Sequence, residues 1–287
     1  MKLILSRKGF DSQYGGIPSP ILPDGTLVPL PIPTSHDCDT MGEINISNID
    51  IGSILKDLSK GRYNLSTTVH LDPDLNRPIA KKSPAWRPAL GQTGTAQSHL
   101  KEMGVGINDV FLFFGWFRQI DYTAGNWHYV RNAPNLHIIF GWIEVDEVLP
   151  IVQHRDHCLS KFPWIKNHPH VMRPDHYSDI RNTLYIAKNS SIYVQDIQGG
   201  GRFSKYKDVL RLTKPGESRS IWSLPNWFMP DGRPPLSYHP RPEQWHQEDD
   251  CVILRSAAKG QEFVLDCTKY PEAEEWISNV IKNGAAS

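Results

Sequence analysis

Asp109-Val-Phe-Leu-Phe-Phe-Gly-Trp-Phe-Arg118 and His137-Ile-Ile-Phe-Gly-Trp-Ile-Glu-Val145 decide the fold. Both are apolar runs rich in aromatic and β-branched residues, and each carries a Phe-Gly-Trp triplet. Runs of this composition read as central, buried strands. Glycine inside a strand is unfavourable unless a bulge, a second backbone or a ligand must come close. Two such glycines, Gly115 and Gly141, therefore predict a bent sheet with aromatic rings near the bend.

Around these strands the chain alternates short elements with long loops. Residues 2–6 read as a first strand. Residues 7–40 follow as a Gly/Pro-rich loop with a turn at Asp24-Gly25, too apolar to be disordered. A helix is expected over 51–59, capped by Asp50 and ended by Gly61, then a strand over 63–70. A basic, proline-rich stretch runs to Arg87, and a second helix over 95–103 stops at Gly104. Residues 121–135 read as a Tyr/Trp-rich excursion between the two central strands. A helix over 150–161 starts with Pro150 at or near its first position. Short strands are expected over 182–187, 191–197 and 209–212, then a Pro/Trp-rich covering segment over 215–247. Residues 251–256 and 262–266 read as a hairpin around Lys259-Gly260, and a helix over 270–282 closes the chain. The fold class is α+β: a central mixed, strongly bent sheet or partly closed β-barrel, with long loops and a few short helices. One elaborated domain is expected over 1–287, with the core sheet at about 105–197 and the segments 1–104 and 198–287 packed on it.

Thirty-one basic and 31 acidic residues cancel, which argues against a protein that coats nucleic acid through bulk charge. A local basic patch is compatible with that balance. The four scattered cysteines form no C-x-x-C pair and read as reduced, buried thiols. The start of the chain turns polar too soon for a signal peptide, and no run approaches the ~20 apolar residues of a membrane span. These features predict a cytoplasmic location without membrane contact.

Five constellations carry candidate chemistry. The first is Ser6-Arg-Lys-Gly-Phe-Asp-Ser12 with Gly15-Gly16, at the end of the first strand. Arg7 and Lys8 suit a phosphate, Asp11 and Ser12 suit base or sugar contacts or catalysis, and Gly15 and Gly16 let a backbone approach a ligand. The bland alternative is a turn in which Asp11 and Ser12 bond their own backbone. The second is His70-Leu-Asp72 with Asp74. Residues two apart in extended chain share a face, so His70 and Asp72 can hold one metal, with Asp74 as a third candidate. A distal histidine (His154, His157, His168, His170 or His176) would complete a two-histidine, one-carboxylate set suited to iron. The competing reading is a loop whose carboxylates cap turns around Pro73.

The third constellation is that histidine cluster itself. His154 and His157 are three apart on the expected helix, and Pro169 separates His168 from His170; surface or satisfied loop histidines are the plainer reading. The fourth is Gly91-Gln-Thr-Gly94 at a helix start, where Gln92 can meet a ligand or the segment simply caps the helix. The fifth is aromatic: Trp116, Trp127 and Trp142, with Arg118 nearby, can stack a base, or pack as core and rim.

The chain resembles the nucleotide modification associated domain 3 family. The resemblance rests on the block 5–12, Gly15-Gly16, Pro18-Ser-Pro-Ile21, Asp24-Gly25, His70-Leu-Asp-Pro-Asp74, Gly91-Gln92, Asp109 through Phe117 and Phe140-Gly-Trp142. It implies association with nucleic-acid base modification in bacteria and phages, DNA modification included, without an assigned mechanism. A fainter similarity to PUA, ASCH and EVE domains, which are small bent barrels that bind RNA or modified bases, rests on Gly106, Asp109, Gly141 and Val145 and concerns fold alone.

The leading expectation is a protein of nucleic-acid modification that binds one nucleotide or extruded base locally, in an aromatic cleft, and that can be a modifying enzyme. Asp11, Ser12, His70 and Asp72 are its candidate catalytic residues. Arg7, Lys8, Gly15, Gly16, Gln92, Trp116, Arg118, Trp127 and Trp142 are the binding candidates. Two other classes stand beside it: a non-catalytic PUA-like reader of modified bases, and an iron-dependent oxygenase built on His70 and Asp72, with a divalent metal as cofactor.

Overall fold

The two Phe-Gly-Trp runs lie side by side, antiparallel, in a large mixed sheet. The structure is a computed structural model that describes residues 1–44, 49–77, 83–258 and 260–286. In chain order its strands are β1 (Lys2–Arg7), β2 (Ser19–Ile21), β3 (Ile32–Pro33), β4 (Asp39–Thr40), β5 (Thr68–His70), β6 (Ala89–Gln92), β7 (Val110–Thr123), β8 (Asn126–Tyr129), β9 (Leu136–Pro150), β10 (Thr183–Ala187), β11 (Gly200–Arg202), β12 (Ile221–Pro225), β13 (Trp245–Gln247), β14 (Cys251–Arg255) and β15 (Glu262–Asp266). The helices are α1 (Ile51–Leu58), α2 (Gly94–Glu102), α3 (Ile151–Lys161), α4 (Pro169–Met172) and α5 (Ala273–Ala285).

The main sheet runs β15-β1-β7-β9-β10-β6. Its β1–β7 pairing is parallel, while β15–β1, β7–β9, β9–β10 and β10–β6 are antiparallel. Two long strands carry it, and each changes partners along its length. β7 pairs with β1 over its first half and with β2 and β8 further on. β9 pairs with β11 around Gly141 and with β10 beyond Val145. Phe111, Phe113, Phe114 and Phe117 are fully buried in the core, as the apolar pattern requires.

Both triplet glycines meet neighbouring main chain. A Cβ at Gly115 would lie 2.9 Å from the carbonyl oxygen of Lys8, and one at Gly141 would lie 2.7 Å from that of Gly201 and 2.4 Å from the Leu75 side chain. Between them the register slips: Phe113 faces Gly141 but Phe114 faces Ile139, so Phe140 is the extra residue of a bulge. Bulges re-aim side chains. Phe140 lines a small cavity with Leu71, Asp72, Pro73 and Leu75. The loops after β1 and β5 are thereby seated over the two glycines.

No closed barrel forms among the described residues, because β15 and β6 end the strand order without pairing. Their edges meet through side chains instead: Gln92 Nε2 donates to Glu262 Oε1 at 2.7 Å. α2 follows directly from β6 and occupies that gap, its Gln97 accepting from Tyr185 and its His99 bonded to Ser237. The barrel expectation, and with it the PUA analogy, is without support.

Other elements differ from the sequence reading for local reasons. Residues 191–197 form turns rather than a strand, held by Glu144, which accepts from Ser191 Oγ and the Ile192 N–H. Residues 208–210 are a 3-10 turn. β14 and β15 do not form a hairpin: β14 lies between β12 and β13, and β15 pairs with β1. Lys259, the expected turn residue, lies outside the described residues, as does part of the basic stretch before Arg87. The excursion over 121–135 contains a true hairpin, β7–β8, turning at Ala124-Gly125. Pro150 caps α3 from outside, and α3 is kinked at His154. α1, with Asp50 accepting from Gly52 and Ser53 N–H, and α2, stopped by Gly104 in the left-handed region, form as expected. Cys38 is exposed and Cys251 only partly buried, against the expectation of buried thiols, and all four cysteines are free. No helix among the described residues is long and apolar enough to cross a membrane.

Gly115→Ala and Gly141→Ala are each expected to lower unfolding stability by about 1–3 kcal/mol through overpacking against main chain. Gly106→Ala, which meets nothing within 4 Å, serves as the control in urea titrations. Equal midpoints for all three would refute the close-approach account.

Candidate metal centre

His70, Asp72 and His170 each place one donor atom within 4.8 Å of the others. Three separate elements deliver them. His70 ends β5, which is flanked by β3 and β4 in a small three-stranded sheet. Asp72 follows two residues later, its N–H bonded to the His70 carbonyl. His170 sits in α4, where Pro169 fills the first turn and His168 caps it. The small sheet meets the β6 edge here: the Gly91 N–H donates to Asp72 Oδ1 at 2.6 Å. A Cβ at Gly91 would fall 2.3 Å from the His170 ring, so the imidazole occupies the space of a missing side chain.

Hydrogen bonds fix which ring nitrogens are free. Asn182 Nδ2 donates to the His170 and Tyr177 carbonyls, which turns Asn182 Oδ1 toward His170 Nδ1 at 2.7 Å. Nδ1 of His170 therefore carries the proton, and Nε2 keeps its lone pair. His70 Nδ1 lies 2.7 Å from Asp37 Oδ2, so it too donates and its Nε2 is left open, 3.8 Å from Asp72 Oδ2. Metal-binding histidines are oriented in this way, by an acceptor on the far nitrogen. Tyr177 ties the two together. Its ring stacks on His170 at 4.4 Å, and its hydroxyl lies 3.2 Å from Asp37 Oδ2 and 3.0 Å from His70 Nδ1.

His168 plays another part. Its Nδ1 accepts from the His170 N–H, so its proton sits on Nε2, which offers no lone pair. That Nε2 is buried 3.4 Å from Asp72 Oδ1, without a hydrogen-bond partner. The Gly91 N–H holds Oδ1 of Asp72, which leaves Oδ2 on the His70 side.

Electrostatics favour the ligand forms. Burial pushes His170 down to about 3, so it is neutral at physiological pH. Burial works against ionisation of Asp72, but the neighbouring His168, His170 and His70 outweigh it and hold the carboxyl well below its usual range. Asp37 is also lowered: burial opposes ionisation and the His70 contact overcomes it. Tyr177 is raised by burial and by Asp37, so it remains a donor.

The remaining candidates are distributed elsewhere. Asp74 stands apart from the cluster; its Oδ2 accepts from Arg77 Nε and Trp86 Nε1 in the interior. His154, at the α3 kink, and His157, one turn beyond it, are both exposed, and His176 is exposed and stacks on His36. Lys8 and Gln92 are both engaged by Glu262. Gly15 and Gly16 form a left-handed turn against Phe10, whose ring a Cβ at Gly15 would meet at 2.3 Å. Trp142 is buried against Phe203 at 4.9 Å, Trp127 packs beside α1 with its backbone N–H donating to Asp57, and Arg118 lies over Tyr129. Arg7, Asp11, Ser12 and Trp116 do come together, with Arg219, around a separate pocket of 620 Å³. Asp11 Oδ1 accepts from the Gln13 and Tyr14 N–H groups there, the turn that sequence offered as the plainer alternative.

Asp37, Asn182, Tyr177 and Arg219 were not singled out from sequence. An Asp within a long loop, an Asn before a strand and an Arg in a covering segment carry no local pattern, and only tertiary contact gives them meaning.

The fold and this constellation define an α+β protein with a two-histidine, one-carboxylate cluster at a sheet edge. The chain belongs to the nucleotide modification associated domain 3 family, whose model matches residues 2–266. No curated protein and no solved structure matches it at a significant level.

Nitrogen-15 NMR of the metal-free protein at neutral pH should show His170 as the neutral Nδ1–H tautomer. Gly91→Ala should disturb that signal by displacing the ring. An Nε2–H signature for His170 would contradict the assigned hydrogen bonds.

Proposed function

We propose that this chain is a metal-dependent enzyme of nucleotide modification, with His70 Nε2, Asp72 Oδ2 and His170 Nε2 as the protein ligands. The observation that carries the reading is the paired orientation of the two imidazoles: Asp37 and Asn182 occupy both Nδ1 atoms and leave two lone pairs beside one carboxylate. A buried cluster that served only stability would more simply satisfy its nitrogens among its own members. The family association with nucleotide modification supplies the substrate class, a nucleotide or base. Two imidazoles and one carboxylate suit iron(II) and leave coordination positions open, which is the donor set of non-haem iron oxygenases. His70 is one-fifth exposed, so the cluster has a route to solvent. Asp37, Asn182, Tyr177 and His168 hold the ligands in place, and Gly91 both orients Asp72 and makes room for His170.

Anaerobic reconstitution with iron(II) followed by elemental analysis is expected to give about one metal per chain. His170→Ala and Asp72→Ala should abolish stoichiometric binding. Asp37→Ala and Asn182→Ala should weaken it about 10–100-fold, the usual loss when a supporting partner of a ligand is removed. His154→Ala, at an exposed position, should change nothing. No metal uptake by the folded wild-type protein, or uptake indifferent to His170→Ala, would sink the reading.

A further inference from the structure

We propose that the pocket between Arg7 and Arg219 holds the phosphate of a nucleoside monophosphate, with the nucleoside against the Trp116 side. The inference rests on the nucleotide half of the reading above and not on the metal.

The pocket's 620 Å³ falls within the range of about 300–1,000 Å³ typical of small-molecule sites. Its walls come from the end of β1, the 9–14 loop, Trp116 of β7, Arg219, and Ala257, Ala258, Gly260 and Gln261. The charge inside is unbalanced. Two guanidinium groups face it, and the one carboxylate among the described lining residues is Asp11, an acceptor for two backbone N–H groups. Arg7 donates to the carbonyls of Ala257 and Ala258, which carry no net charge, and its Nε is buried with no partner. Arg219 donates to Ser12 Oγ at 2.5 Å and lies over the Trp116 ring at 4.2 Å. Neither contact of Arg219 neutralises it. Burial lowers the pKa of both arginines; Asp11 offsets part of that, and the nearness of Arg219 lowers Arg7 further.

Two planar, incompletely neutralised guanidiniums at one cavity are suited to a phosphate, which they can meet with paired N–H donors. An aromatic wall suits the other end of a nucleotide. Trp116 is half-buried, its indole N–H is taken by Asn135, and Tyr14 is 52% exposed at the rim. Zero net charge with a local basic pocket suits recognition of a single anionic group rather than a long backbone. Among the described residues no lysine lines this pocket, and the nearby Lys8 is paired with Glu262.

The test is calorimetric titration of metal-free protein with a panel of 5′-mononucleotides, the matching nucleosides and inorganic phosphate. At least one mononucleotide should bind 10-fold or more tightly than its nucleoside and than inorganic phosphate. Arg219→Gln should remove at least 10-fold of that affinity, and Arg219→Lys should restore only part of it. His154→Ala, at an exposed position, should bind the nucleotide as wild type does. Equal affinity for nucleotide and nucleoside, an unchanged Arg219→Gln variant, or inorganic phosphate binding as tightly as the nucleotide would overturn the proposal. Because Arg7 also anchors the 257–258 backbone, Arg219 carries the test and thermal melting verifies its fold. Loss of nucleotide binding with iron uptake intact would remove this pocket and leave the metal reading. The reverse outcome would leave the pocket and remove the metal.

Discussion

The close approach of main chain to Gly115 and Gly141 is the constraint on which the rest of the molecule depends. A carbonyl lies where each Cβ would be, from Lys8 over one glycine and from Gly201 over the other. Lys8 opens the loop that supplies Asp11 and Ser12 to the arginine pocket. Leu75, which also presses on Gly141, closes the loop that starts from His70 and Asp72. The bulge at Phe140 lies between the two and directs that ring against the second loop. The aromatic strands are thus a floor, and the polar chemistry stands on the loops they admit.

On that floor the cluster is organised by acceptors rather than by the ligand residues alone. An imidazole in isolation can present either nitrogen. Asn182, itself fixed by two carbonyls, and Asp37, fixed by Tyr177, leave each ring one choice. Burial then keeps His170 uncharged, and Asp72 stays ionised against its own burial chiefly through the neighbouring His168. The arginine pocket shows the opposite imbalance, an excess of positive charge with room beside it. In the proposed reading one is a metal site and the other an anion site, and they stand on different loops.

Much of this was legible in the sequence because it is written in short-range pattern. The apolar runs announced β7 and β9, the strand-interior glycines announced close approach, and the caps at Asp50 and Gly104 placed two helices. His70-x-Asp72 on one face, with a distal histidine, is also a local spacing, and His170 was among the five histidines that could complete it. What pattern could not supply was partnership over distance. Asp74 has the same spacing from Asp72 that Asp72 has from His70, yet Arg77 and Trp86 take it inward. Trp142 looks like Trp116 in sequence, each following Phe-Gly, but Phe203 covers one and Arg219 reaches the other. The open sheet edge was hidden for the same reason: Gln92 and Glu262 are 170 positions apart, and their side chains meet where backbone pairing would have closed a barrel.

X-ray absorption spectroscopy of the iron(II)-loaded protein tests the central claim most directly. The account predicts outer-shell scattering from two imidazoles in the wild type and from one in His170→Ala loaded at high iron. A spectrum with oxygen and nitrogen neighbours but no imidazole scattering, or one that His170→Ala leaves unchanged, would contradict it.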